Sequence, residues 1–270
     1  MTDRLNKKAY AIKLKMLELA RNAYPKGVHL GGALSSTEIM AVLTDILNLD
    51  GSSDRDRIIL SKAHSALSLY TALWQKGIFP ESFLDTYDKD RSGLFSHPSR
   101  NIDYGIEFSG GSLGLGISYA VGQAIALKLK GSAALVHCIV GDGELDEGIV
   151  WEAFMSAANF KLSNLTVTID SNKGQLDGPV EDVMSLGDIK AKMESFGFAV
   201  TEIDGHDIQQ LIDAYGTPHD EKPLAVIANT VKGHGVDFLT GSKESHFCML
   251  SEKKYGKAVE QIKQSYGYGD

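Results

Sequence analysis

Residues 135–148 read Leu-Val-His-Cys-Ile-Val-Gly-Asp-Gly-Glu-Leu-Asp-Glu-Gly, an apolar run of strand length that passes without a spacer into a glycine-flanked carboxylate. A second run, 165–169, leads in the same way into Asp170-Ser171-Asn172-Lys173-Gly174. Runs of similar length lie at 58–61, 198–203 and 224–228, and helical periodicity separates them, notably at 150–160 and 208–215. Strands that are apolar along their whole length are covered on both faces, and their alternation with helices is the pattern of parallel crossovers. The reading is an α/β fold with a mostly parallel sheet and helices on both faces. Ligands of such sheets lie beyond the carboxyl ends of the strands, where both polar turns fall.

The N-terminal third fits this frame. Leu5, Ala9, Ile12, Met16, Leu17, Leu19 and Ala20 recur at three- and four-residue spacing, which places an apolar stripe on a first helix. Gly27, Gly31 and Gly32 interrupt it, and Ser35 with Glu38 three residues on forms a capping-box pattern that opens a helix through Ile39, Leu43 and Ile46. The pattern at 65–77 is a helix ended by a glycine, with His64 at its start. Residues 91–116 are rich in Gly, Ser and Pro and read as an irregular loop leading into a helix at 115–130, stopped by Gly131.

Composition narrows the class of function. The chain has 270 residues, 43% of them apolar, enough for a substantial core and a single domain over 1–270. A net charge of −8 disfavours a general nucleic-acid or anionic-membrane surface. No apolar run approaches the roughly 20 residues that span a bilayer. Two cysteines in dissimilar contexts, Cys138 and Cys248, suit a reducing cytoplasm.

By itself Gly141-Asp142-Gly143 is a turn that any buried strand can take. The second turn adds information, because Asp142 and Asn172 are 172 − 142 = 30 residues apart, the length of one strand–helix–strand crossover. Such a crossover sets the two strand ends side by side, so both side-chain oxygens can face one ion. A Mg²⁺ ion takes a few hard protein oxygens and keeps sites for phosphate oxygens and water. An Asp, an Asn and a backbone carbonyl meet that need. Gly141 and Gly143 admit close backbone approach to phosphate, and a helix starting near Gly148 would offer its N-terminal end.

The segment Gly141 through Ala153, continued by Asn172-Lys173-Gly174-Gln175-Leu176-Asp177-Gly178, resembles the thiamine-diphosphate motif of transketolases. The resemblance extends through Arg57-Ile58-Ile59-Leu60-Ser61-Lys62-Ala63-His64, Gly110-Gly111-Ser112-Leu113-Gly114-Leu115-Gly116, Asp204-Gly205-His206-Asp207 and Thr230-Val231-Lys232-Gly233-His234-Gly235, which together cover essentially the whole chain. It implies that Asp142, Asn172 and the carbonyl of Gly174 hold the divalent ion, Mg²⁺ or alternatively Ca²⁺ or Mn²⁺. Gly111, Ser112 and Leu113 would border thiamine diphosphate, Gly143 would reach its diphosphate and Leu176 would pack near its thiazolium. His29, His64, His97 and His246 fall where the family has cofactor and substrate histidines, although a lone loop histidine is ordinarily just solvated. Imidazoles there donate to diphosphate or hydroxyl oxygens and move protons near neutral pH. His137, His206, His219 and His234 are read as structural or solvent-facing.

Departures from the family pattern are Val28, Leu30, Ala63 and Gly174, the last smaller than the aliphatic residue usual there. The family's catalytic glutamate lies on a pyrimidine-binding domain, for which this sequence shows no counterpart. The resemblance therefore implies a split enzyme: a separate subunit with the pyrimidine and C-terminal domains, an α2β2 assembly, and Glu147 at the subunit interface. The implied activity is transfer of a two-carbon ketol unit from a ketose or ketose phosphate to an aldose. A deoxyxylulose-phosphate-synthase-like protein, the α chain of a 2-oxoacid dehydrogenase and a non-catalytic paralogue share the ion motif and stay open.

Overall fold

Gly141 and Asp170 are register partners, so the two polar turns leave the sheet side by side. The computed structural model describes residues 1–268. Its sheet contains β1 (Arg57–Leu60), β2 (Val136–Gly141), β3 (Leu165–Ser171), β4 (Ala199–Asp204) and β5 (Leu224–Asn229), in the order β1-β2-β3-β5-β4. All four pairings are parallel.

Alternation along the strands divides the core into two layers. Ile58, Leu60, Ile139 and Ala228 face the helices Thr2–Asn22, Thr37–Ile46, Ala66–Lys76, Ile208–Tyr215 and Glu252–Ser265. Ile59, Val136, Cys138, Val140, Val167 and Ile169 face Leu115–Leu129, Gly148–Asn159 and Ile189–Ser195. β1, β2 and β3 are buried along their length, but β4 is only part-buried because it lies at the edge with one neighbour. The expectation of strands covered on both faces thus fails for β4.

Two local readings change. Ser35 and Glu38 form no capping box: a helix Gly31–Ser35 ends at Ser36, and Thr37–Ile46 starts there without a side-chain cap. Ser35 Oγ instead donates to Asp170 Oδ2 at 2.7 Å, and Glu38 points into a buried polar network. Glu252–Ser265, for which the sequence raises no expectation, is capped by Ser251 and docks through Ala258 and Ile262. Ahead of it, Val28 and Cys248 form an antiparallel bridge, N to O 2.9 Å and 2.8 Å, which brings His29 close to His246.

Candidate functional site

The strand ends bring side chains from separate segments into one cleft. β1 delivers Lys62 and His64, β2 delivers Asp142 and Gly143, β3 delivers Asn172 and Gly174, and the turn after β5 delivers Lys232; His29, His97 and His246 come from loops, and all of these line the same cleft. Gly111, Leu113 and Leu176 complete its wall. Among the residues singled out from the sequence, Ser112 and Glu147 lie outside this lining and are exposed.

Two buried carboxylates order the floor. Asp170 is fully buried and ion-paired through Oδ2 with the ammonium of Lys62. It also accepts from Ser35 Oγ, from Thr230 Oγ1 and, at 3.3 Å, from Asn172 Nδ2. Burial opposes its ionisation, but Lys62 and these donors win and hold its carboxyl below the usual range. Glu144 ties three segments together: Oε1 accepts from Ser61 Oγ at 2.5 Å and from Gly114 N at 2.7 Å, and Oε2 accepts from Gly141 N at 3.1 Å.

Asp142 accepts from Gly143 N at 2.9 Å and from Lys173 N at 2.5 Å. Burial, reinforced by nearby Asp170, pushes its carboxyl up to about 6. A cation placed there would relieve both effects. Asn172 donates to Asp170 and Ser35 through Nδ2, and its Oδ1 accepts from Gly174 N at 3.1 Å. The carbonyl of Gly174 accepts from Lys232 Nζ at 3.0 Å and keeps a second lone pair. This oxygen set, with Lys62 and Lys232 beside it, has the chemistry to hold a divalent ion and a diphosphate.

Glycines here answer to protein neighbours. A Cβ on Gly174 would stand 2.9 Å from Lys232 Cδ, so the small residue leaves room for that lysine. A Cβ on Gly143 would stand 2.8 Å from Gln175 Cγ, so Gly143 makes way for Gln175, contrary to the expectation that it clears space for phosphate. The helix Gly148–Asn159 does not open onto the cleft either. A 3-10 turn, Gly143–Asp146, intervenes, and its first residues line the wall.

The histidines form a cluster around His29, with ring centroids 5.2 Å from His97, 5.3 Å from His246 and 6.0 Å from His64. Burial, then His97, lowers His29 to about 4; burial, then Lys232, lowers His246 to about 4. Burial, then Lys62, holds His64 well below the usual range. These three rings are neutral at pH 7 and able to donate with one nitrogen while accepting with the other. His29 Nδ1 is buried with no partner among the described residues. Lys62, Lys232, Asp170 and Glu144 draw no role from the sequence, although each stands at or beside a strand end.

A family profile described as "Transketolase, thiamine diphosphate binding domain" matches residues 7–270. One of the two subunits of the apulose-4-phosphate transketolase of Actinobacillus succinogenes is 40% identical over 267 residues, covering 97% of this chain and 96% of that protein. The 6-deoxy-6-sulfo-D-fructose transketolase subunit SqwG of a Clostridium strain is 37% identical over 243 residues, covering 87% and 88%. Human transketolase is 34% identical over 242 residues, 87% of this chain but 38% of its own length. The crystal structure of Campylobacter jejuni transketolase superposes with a TM-score of 0.84 at 26% identity, covering 99% of this chain and 43% of that one. A parallel α/β sheet whose strand ends carry Gly-Asp-Gly and Asn-Lys-Gly turns thus defines a thiamine-diphosphate-binding domain. The chain belongs to the transketolase family.

Proposed function

We propose that this chain is the diphosphate- and cation-anchoring subunit of a two-component transketolase that moves a two-carbon ketol unit from a ketose or ketose phosphate to an aldose. The observation that carries the reading is the convergence, in one cleft, of an acidic and amide oxygen set, two lysines and four histidines. Asp142, Asn172 and the Gly174 carbonyl would ligate Mg²⁺, or Ca²⁺ or Mn²⁺ in its place, with Lys62 and Lys232 neutralising the diphosphate. Gly111, Ser112, Leu113, Gly143 and Leu176 would border the cofactor. Thiamine diphosphate supplies, when bound, the nucleophilic carbon that cleavage beside a ketose carbonyl requires. The neutral rings of His29, His64 and His246, together with His97, would hold sugar hydroxyls and carry protons between them.

In this reading residues 1–270 act as one diphosphate-binding domain, and a separate subunit supplies the pyrimidine-binding domain. Two relatives are named as transketolase subunits, which supports a partner, and the exposed Glu147 would meet it in an α2β2 assembly. The names of those relatives refer to apulose-4-phosphate and to 6-deoxy-6-sulfo-D-fructose. Both are anionic sugar derivatives, so the donor proposed here is of that type. No helix among the described residues is long and apolar enough to cross a membrane.

The test is titration of thiamine diphosphate with Mg²⁺ into the chain and its co-purified partner, for the native protein and for Asp142→Ala. The variant should lose cation-dependent binding and ketol transfer together. Retained activity in Asp142→Ala, or an adduct formed from pyruvate in preference to a ketose phosphate, overturns the assignment.

A further inference from the structure

Behind the cleft, on the side away from its mouth, Glu38 is buried at the centre of a polar network drawn from four parts of the chain. Oε1 accepts from Lys13 Nζ at 2.7 Å and from Tyr266 OH at 2.6 Å, and Oε2 lies 3.0 Å from His206 Nδ1. His234 joins through Nδ1, 2.9 Å from Lys13 Nζ, and its ring stacks on His206 with centroids 3.5 Å apart. Glu38, His206 and His234 present ligand atoms at metal-like spacing. The Lys13 ammonium is bonded to two of the three, so a cation is already built into the cluster.

The hydrogen bonds fix the imidazole tautomers. An ammonium has only donors, so His234 Nδ1 accepts and its proton is on Nε2. His206 Nε2 accepts from the backbone N–H of Val231 at 2.9 Å, so its proton is on Nδ1 and is donated to Glu38. A carboxylate thus holds one ring nitrogen, and the other holds a main-chain amide. Carboxylate–histidine pairs orient the groups they serve in this way.

The amide matters because the next residue is Lys232, which reaches into the cleft to the carbonyls of Gly174, at 3.0 Å, and Gln175, at 3.1 Å. Its neighbours are anchored on both sides: Thr230 by Asp170, Val231 by His206, and Gly233 by the carbonyl of Gly31 at 3.0 Å. Gly233 has φ of +81°, and a Cβ there would strike the Leu239 carbonyl carbon at 2.8 Å. The segment has one arrangement in which Lys232 meets the ion-binding turn, and His206 is its one side-chain contact to a peptide N–H.

We infer that His206, oriented by Glu38, is a positioning residue that fixes the Val231 peptide and thereby aims the Lys232 ammonium at the anion site. The inference rests on the diphosphate-site reading above and extends it to a residue outside the cleft lining.

The experiment measures binding of inorganic pyrophosphate with Mg²⁺ to the full chain by calorimetry. His206→Phe keeps a ring against His234 and removes both nitrogens, while His206→Gln keeps one acceptor and one donor. His206→Phe should weaken binding about tenfold, a change of about 1.4 kcal/mol. His206→Gln should stay within about threefold of the native chain. Combined with Lys232→Met, His206→Phe should add nothing further, because both changes act through the same ammonium. Unchanged affinity in His206→Phe, or a further loss on the Lys232→Met background, overturns the inference. Hydrogen exchange at the Val231 amide of the native chain is a second measurement: protection is expected, and unprotected exchange overturns the contact itself. Asp142→Ala separates the two readings, since pyrophosphate binding that survives it with Mg²⁺ present removes the site assignment and not merely the role of His206.

Discussion

The Lys62 ammonium and the Asp170 carboxylate form a fully buried ion pair between the ends of β1 and β3, two strands that are not neighbours in the sheet. Their shared partners, Ser35, Gly32 and Thr230, satisfy the remaining donors and acceptors. Removing one member leaves the other charge buried and unpaired, at a cost of roughly 3–5 kcal/mol. Asp170→Ala should therefore lower unfolding stability in urea by that amount. Lys62→Met added to it should recover part of the loss, and a double variant no more stable than Asp170→Ala would show that the orphaned charge is not the cause.

Glu144→Gln tests the clamp at the neck of the cleft. The amide offers one acceptor oxygen where the carboxylate serves the N–H groups of Gly114 and Gly141 and the Ser61 hydroxyl. Hydrogen bonds to a charged group contribute about 1.5–3 kcal/mol each, and one becomes a donor–donor contact. A loss of roughly 2 kcal/mol is expected, with faster amide exchange at Gly114. Equal exchange in both proteins would mean that Glu144 does not hold the 110–116 loop.

Gly174→Ala separates crowding from backbone strain, because Gly174 is not in the left-handed region and its would-be Cβ meets Lys232 Cδ at 2.9 Å. The substitution should displace the lysine while changing unfolding stability by less than about 1 kcal/mol. Under the proposed function, affinity for Mg²⁺-pyrophosphate falls severalfold. Native affinity in the variant would show that Lys232 can leave Gly174 without consequence.

His137 gives the chain an acid-sensitive centre. It lies in β2, its Nδ1 has no partner among the described residues, and burial lowers it to about 4. Unfolded, the same ring titrates near 6.5. Between those values the unfolded chain binds the extra proton, so stability is full above about pH 6.5 and is lost as pH falls toward 4. The loss from this one group approaches roughly 3 kcal/mol, at about 1.4 kcal/mol per pH unit. His137→Leu should flatten that part of the curve, and an unchanged slope would assign the acid loss to other groups.

Much of the fold is legible in the sequence because β1, β2, β3 and β5 are nearly continuous apolar runs, a pattern that needs no long-range information. The placement of Asp142 beside Asn172 is legible for the same reason, since crossover length and parallel pairing fix it. What escapes depends on partners far away in the chain. Ser35 and Glu38 carry a helix-cap signature, yet each bonds across the fold, one to Asp170 and the other to Lys13, His206 and Tyr266. Lys62 and Lys232 are visible as residues but not as a pair flanking one ion site, because only the sheet order brings their strands' ends to one cleft. The helix Glu252–Ser265 has a readable stripe in Tyr255, Ala258, Val259 and Ile262, and the polar remainder of its surface hides it.

The two thiols sit in places of different depth. Cys138 lies in the middle of the sheet and Cys248 in the bridge to Val28, both unpaired, buried and pushed above the ordinary thiol range by burial. Neither reacts until its surroundings open, so the chain carries two built-in clocks. Modification of Cys248 times the parting of the segment that brings His246 to His29, and modification of Cys138 times rupture of the sheet. A ligand that settles the cleft should slow the first clock before it affects the second.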